Sequence, residues 1–130
     1  MITPELALRL GELTPAWHPA AGDRFVIPGT DLVEVFVIAD MVIEAHDVPG
    51  GRIIRFNGTT EWALDSIDAA RVLWLPREDQ LRTLLGAAFD RLEAVPDGFA
   101  VQLRDGSRHL DIDAERAYAR AAITLLEGRR

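Results

Sequence analysis

The stretch FAVQLRDGSRHLDI, residues 99–112, decides how the second half of this chain is read. Phe99, Val101 and Leu103 alternate with Ala100 and Gln102, the period of two expected of a strand with one buried face. Asp105-Gly106 marks a hairpin turn, because tight turns need residues that tolerate positive φ. With the turn there, Leu110 and Ile112 are expected to continue the inward face on the return strand. His109, Asp111 and Asp113 then share the outward one. Asp113 stands directly before AERAYARAAITLLEG (114–128), placed to cap a helix. Ala117, Ala121 and Leu125, with Tyr118 and Ala122, form that helix's inward stripe, and Gly128 ends it.

Working back, WLPREDQL (74–81) reads as a helix start. Pro76 suits the first helical position, where its missing N–H costs nothing, and Glu78 and Asp79 suit the positive end of the helix dipole. Leu81, Leu84, Leu85, Ala88, Phe89 and Leu92 recur at helical spacing and predict one helix through residue 95. Gly86 weakens it by about 1 kcal/mol relative to alanine. Between Val33 and Leu64 the chain reads as sheet. LVEVFVIADMVIEAHDV (32–48) is one long strand bent near Asp40 or two strands, and PGG (49–51) turns it into RIIRF (52–56). Asn57-Gly58 predicts a type I′ hairpin, with Thr60, Trp62 and Leu64 alternating on the far side. DSIDAARV (65–72) reads as a short helical turn, and Phe25-Val26-Ile27 as a short strand after a turn-rich loop. At the front, Thr3-Pro4-Glu5 starts a helix with Leu6, Leu10 and Leu13 on one stripe. The expectation is a single α+β domain over residues 1–130: two layers, an antiparallel β-meander plus a second hairpin, and three helices, N-terminal, central and C-terminal.

Composition removes several kinds of chemistry. The 130 residues include no cysteine, which excludes disulfides, thiolate nucleophiles and iron–sulfur clusters. All 14 basic residues are arginine, so a Schiff base, a serine–lysine dyad and a P-loop lysine are excluded as well. A net charge of −7, with basic residues scattered until Arg129-Arg130, does not supply the clustered cations that phosphate binding needs. Neither nucleic acid nor a membrane is an expected partner, and no cofactor is called for. MITPELALRL (1–10) has neither the positive n-region nor the long apolar stretch of a signal peptide, which makes a cytoplasmic location the expectation.

Four constellations could carry function. On IEAHD (43–47) and RHLDID (108–113), Glu44, His46, His109 and Asp111 alternate to outward faces; neighbouring strands would gather two imidazoles and carboxylates suited to zinc or ferrous iron. The plainer reading is a set of solvated positions on half-buried strands. For hydrolysis the chain offers Ser66 and Ser107 alone, neither in a Gly-x-Ser-x-Gly setting, and Ser107 fits a turn role. GGRIIRFNG (50–58) matches no phosphate-binding pattern, since it leads into a strand and not a helix. The fourth is a surface for another protein. Trp17, His18 and the loop acid Asp23 are the candidate contacts, because tryptophan is enriched in binding hot spots. Trp62 and Trp74 fit core positions instead. An edge strand within EVFVIADMVIE (34–44) could also pair with a second copy of the chain.

At FNGTTEWALDS (56–66), LWLPREDQLRTLL (73–85) and AERAYARAAITLL (114–126) the chain resembles a family of small actinobacterial-type proteins often labelled as pilus-assembly proteins. The resemblance rests on an Asn-Gly hairpin, a proline-started helix and a capped last helix, and implies an uncharacterised bacterial protein. The ATPase such a label implies carries a P-loop lysine, so no catalytic residue transfers to a chain without lysine. The reading is therefore a non-catalytic protein-interaction or ligand-binding module, binding an unidentified protein or itself as a homodimer. The alternative is a metal-dependent enzyme built on Glu44, His46, His109 and Asp111.

Overall fold

The computed structural model describes residues 1–29, 34–38, 43–49, 51–56, 66–68 and 71–129. Its class is α+β, with three helices and three three-stranded antiparallel sheets among those residues. The chain divides into two compact units, Met1–Pro15 with Pro76–Arg130, and Ala16–Leu75.

In the first unit, α1 (Pro4–Leu13) begins as the sequence implies. The Thr3 hydroxyl accepts the Leu6 N–H, and Pro4 takes the first helical position. Its stripe buries Ala7 and Leu10. Helix α3 (Ala114–Gly128) is capped by Asp113, which accepts the Arg116 N–H. Ala117, Ala119, Ala121 and Ala122 are fully buried. Such small side chains let α1, α2 and the sheet beneath all approach α3 closely.

Helix α2 (Glu78–Leu85) is shorter than its periodicity suggested. It starts two residues later, at Glu78, with Arg77 as its cap and Pro76 before it. The Gln80 side chain accepts the Arg77 N–H at 2.9 Å, which is the back-reaching half of a capping box. It ends at Gly86, whose φ of +55° breaks the helix, and a single 3-10 turn, Gly86–Ala88, leads into strand β7 (Phe89–Val95). Phe89 and Leu92 are thus strand residues. Their three-residue spacing imitated a helix because β7 is bulged. Phe89 lies opposite Leu103 and Leu92 opposite Val101, with the irregularity between Phe89 and Arg91. The extra residue puts Phe89 and Leu92 on one face, where an unbulged strand would separate them. Phe89 stacks on the buried Tyr118 at 5.6 Å, and the Arg82 guanidinium lies 4.5 Å from the Phe89 ring centroid.

Strand β7 pairs with β8 (Gly98–Leu103), which pairs with β9 (Arg108–Asp111), in the order β7-β8-β9. Helix α3 packs on β8 and β9, so one face of this sheet is covered. The face of β9 is inverted relative to expectation. A two-residue turn at Asp105-Gly106 would set Leu110 opposite Val101. Instead Leu103 N–H donates to Ser107 O and Gly106 N–H to Leu103 O, both at 3.0 Å, and Gly106 has φ +89°. This is a three-residue loop of the type I plus bulge kind. One added residue slides the register so that His109 faces Val101 and Asp111 faces Phe99, and every β9 side chain changes sides. Leu110 and Ile112 are outward, 57% and 71% exposed.

In the second unit, β1 (Arg24–Val26) lies between β2 (Phe36–Val37) and β6 (Leu73–Leu75), all antiparallel. Phe25, Ile27, Phe36 and Ile38 form its apolar cluster, with Trp17 and Val72 packed against it. A second sheet runs β3 (Ile43–Val48), β4 (Gly51–Phe56), β5 (Ser66–Asp68). Val48 opposite Gly51 confirms the turn read at PGG. Asn57-Gly58, Trp62 and Asp40 lie outside the described residues. The pairing corrects one expectation here. Arg55 faces Ser66. Ser66–Asp68, expected in a helical turn, is that partner strand.

Candidate interaction surface

The Trp17 loop folds inward. The Trp17 indole N–H donates to Asp23 Oδ2 at 2.9 Å, and the same oxygen accepts the Ala20 N–H at 3.2 Å. Asp23, a candidate contact in the sequence, is only 4% exposed and serves to close this loop. Trp17 is half-buried and lies nearly parallel to Trp74, ring centroids 6.2 Å apart, with Phe25 tilted against it at the same distance. Of the three, only His18 is exposed.

His109 and Asp111 lie on the helix-covered side of β9, not on the outward face that the metal alternative needs. Asp111 Oδ2 accepts from Arg120 Nε at 2.8 Å, Arg116 Nε lies 3.1 Å from Oδ1, and Asp111 Oδ1 accepts the Asp113 N–H. Burial acts to raise its pKa. The Arg120 hydrogen bond, the Asp113 N–H and the two guanidinium charges outweigh that and hold the carboxyl below its ordinary 3.8. A carboxylate neutralised by two arginines has no capacity left for a cation. Glu44 and His46 occupy adjacent alternate positions of β3, opposite Arg55 and Ile53. Among the described residues no group of three or more histidines and acids is placed to hold a metal ion.

His109 Nε2 lies 3.2 Å from Ser107 Oγ, which recovers a serine–histidine contact. The order of partners is wrong for a triad, because Asp105 bonds Ser107 and not the imidazole. Burial lowers the His109 pKa below 6.5, with Asp105 pulling weakly the other way. This trio closes the β8–β9 loop.

The uncovered face of the β7-β8-β9 sheet has a divided character. Over β7 and β8 it is salt-bridged: Arg108 Nη2 meets Glu93 Oε2 at 2.7 Å, Arg108 Nη1 donates to Gln102 Oε1 at 2.8 Å, and Arg91 Nε reaches Glu93 Oε1 at 3.2 Å. Arg108 first, then Arg91, lowers the Glu93 pKa. At the β9 edge the same face becomes apolar, with Leu110 in the row of Ala100 and Glu93 and with Ile112 beyond. Main-chain groups are available there too. Leu103 N–H bonds Ser107 O, and pairs alternate along an antiparallel ladder, so His109 and Asp111 bond β8 while Arg108 and Leu110 turn N–H and C=O to the free edge. No described strand lies beyond β9. Val35, just before the two-residue strand β2, and Val37, within it, are also exposed and offer a smaller surface. Sequence reasoning missed Leu110 and Ile112 because it placed them inside; Gly106 followed by Ser107 was the available signal for a longer loop.

No family model, no curated protein and no solved structure matches this chain. Among the described residues no helix is long and apolar enough to cross a membrane.

Proposed function

We propose that the chain is a non-catalytic protein-interaction module whose contact surface is the free edge and apolar rim of the β7-β8-β9 sheet. The observation that supports this reading is the pair Leu110, on β9, and Ile112, just past its end, 57% and 71% exposed, beside a strand edge with no described neighbour. Scattered exposed leucines are ordinary on a protein surface. An apolar pair beside an open strand edge offers a partner both side-chain burial and main-chain hydrogen bonds, the two components of strand addition. The setting we assign is the cytoplasm. The resemblance to proteins labelled for pilus assembly is retained as a proposal about context, with the chain as a component and not as an ATPase.

The test is affinity capture from host lysate with the wild-type chain and with Leu110→Lys/Ile112→Lys in parallel, read by quantitative mass spectrometry. Both positions are exposed, so the variant is expected to fold, which circular dichroism checks. Proteins enriched by the wild type and lost from the variant support this surface. An identical captured set with both baits removes it.

A further inference from the structure

The partner that the β9 edge fits best is a second copy of itself, an inference that rests on the interaction reading above and names its occupant. Strand β9 presents the outward main-chain groups of Arg108 and Leu110; Ile112 follows in the bend just past the strand, where continued alternation would give it the same phase. Antiparallel pairing of two β9 strands must match outward-bonding residues with outward-bonding residues, which allows only registers that align 108, 110 and 112 among themselves. Three such registers overlap usefully, and their side chains discriminate. Centred on His109, the pair sets imidazole against imidazole. Centred between Leu110 and Ile112, it sets Asp111 against Asp111, and directly opposed like charges destabilise a sheet. Centred on Leu110, it sets Leu110 against its counterpart, Ile112 against the aliphatic stem of Arg108, and His109 against Asp111. That register buries apolar on apolar across the open face and sets no two identical polar side chains against each other on the other.

The opposite edge of the sheet is built to resist such pairing. Strand β7 carries a bulge at Phe89–Arg91 and presents Arg91 and Glu93, the features that blunt exposed edges. One edge is therefore closed to self-association and the other is complementary to itself. We infer that two copies of this chain join through β9 about a two-fold axis at Leu110, making a continuous six-stranded antiparallel sheet. The contact is isologous, so it closes at two chains and does not propagate.

The chain contains no cysteine, so single-cysteine variants report the geometry without background. Residues facing each other in a hydrogen-bonded antiparallel pair have Cα atoms about 5.5 Å apart, within the range a disulfide spans. Leu110→Cys is expected to form a covalent dimer under mild oxidation, at least about tenfold faster than Arg104→Cys in the exposed loop nearby. Sedimentation velocity of the wild-type chain is expected to show a concentration-dependent dimer that Leu110→Lys abolishes. A wild-type chain that sediments as a monomer at every concentration overturns the inference, as does Leu110→Cys cross-linking no faster than the loop control. If the pure chain is monomeric while lysate capture still loses a protein with Leu110→Lys/Ile112→Lys, the second copy is refuted and the interaction module stands. If the chain dimerises through Leu110 and capture returns only the chain itself, both stand, with self-association as the interaction.

Discussion

Replacing Asp111 by asparagine should destabilise the helical unit near neutral pH and do almost nothing in strong acid. The side chain is 8% exposed, hydrogen-bonds Arg120 and the Asp113 N–H, and forms an ion pair with Arg116. Hydrogen bonds to a charged group contribute about 1.5–3 kcal/mol each when shielded. Arg120 is 51% exposed and Arg116 27%, so solvent screening cuts their contributions to roughly 0.5 and 1 kcal/mol. Asparagine keeps one acceptor for the Asp113 N–H. The net loss is then about 1.5 kcal/mol, or roughly 4–7 °C in the unfolding midpoint for a chain of this size. The sign of the pH dependence follows from the direction of the shift. The Asp111 carboxyl is held below 3.8 in the folded state. As pH falls, the unfolded chain takes up this proton first. The stabilisation is therefore complete above the unfolded value and disappears as pH drops through the lower, native one. Far-ultraviolet circular dichroism is the assay, because every described helix belongs to the unit that contains Asp111. The gap between wild type and Asp111→Asn should be widest near neutrality and close in strong acid. An equal gap at both extremes would mean that shape, not charge, carries the effect; no gap at neutrality would mean the two arginines contribute nothing.

Gly98→Ala should cost about 1–3 kcal/mol by overpacking, since a Cβ there would meet the Asp111 carbonyl oxygen at 2.4 Å and that oxygen is backbone; chemical denaturation followed by the helix signal measures it, and an unchanged midpoint refutes the close approach. Trp17→Phe keeps an aromatic ring against Phe25 and Trp74 but deprives Asp23 of an indole donor. It should destabilise the 16–75 unit by about 1–2 kcal/mol. The fluorescence of Trp62 and Trp74, both in that unit, is the readout, and an unaltered transition would show that the Asp23 bond is dispensable.

The starts of the first and last helices were legible because they depend on local chemistry. Thr3 and Asp113 each accept a hydrogen bond from a backbone N–H three residues on. Gly86 was weighed against six apolar positions and discounted, yet its positive φ ended the helix. Apolar spacing alone could not arbitrate, because a bulge gives a strand the same three-residue step from Phe89 to Leu92 that a helix would give. The discriminating fact was tertiary. Strand β8 lay in register to pair with it, and no local window contains β8.

The orientation of β9 turns on a single residue of loop length. Asp105-Gly106 reads as the two central residues of a tight turn, and the energetic distinction between that turn and a three-residue loop with glycine last is small and local. The consequence is not small, because a period of two converts a one-residue slip into an exchange of faces. The exchange explains why two apolar residues came to lie in water while a carboxylate went under a helix. Burying Leu110 and Ile112 would have placed Asp111 outside, beyond reach of Arg116 and Arg120. In the observed register Asp111 acquires both partners and an Asx contact to Asp113, the residue that caps α3. The loop thus couples the last helix to the sheet through charge, at the cost of leaving an apolar rim on a free edge. The proposed pairing of β9 with a second copy would cover that rim with one contact.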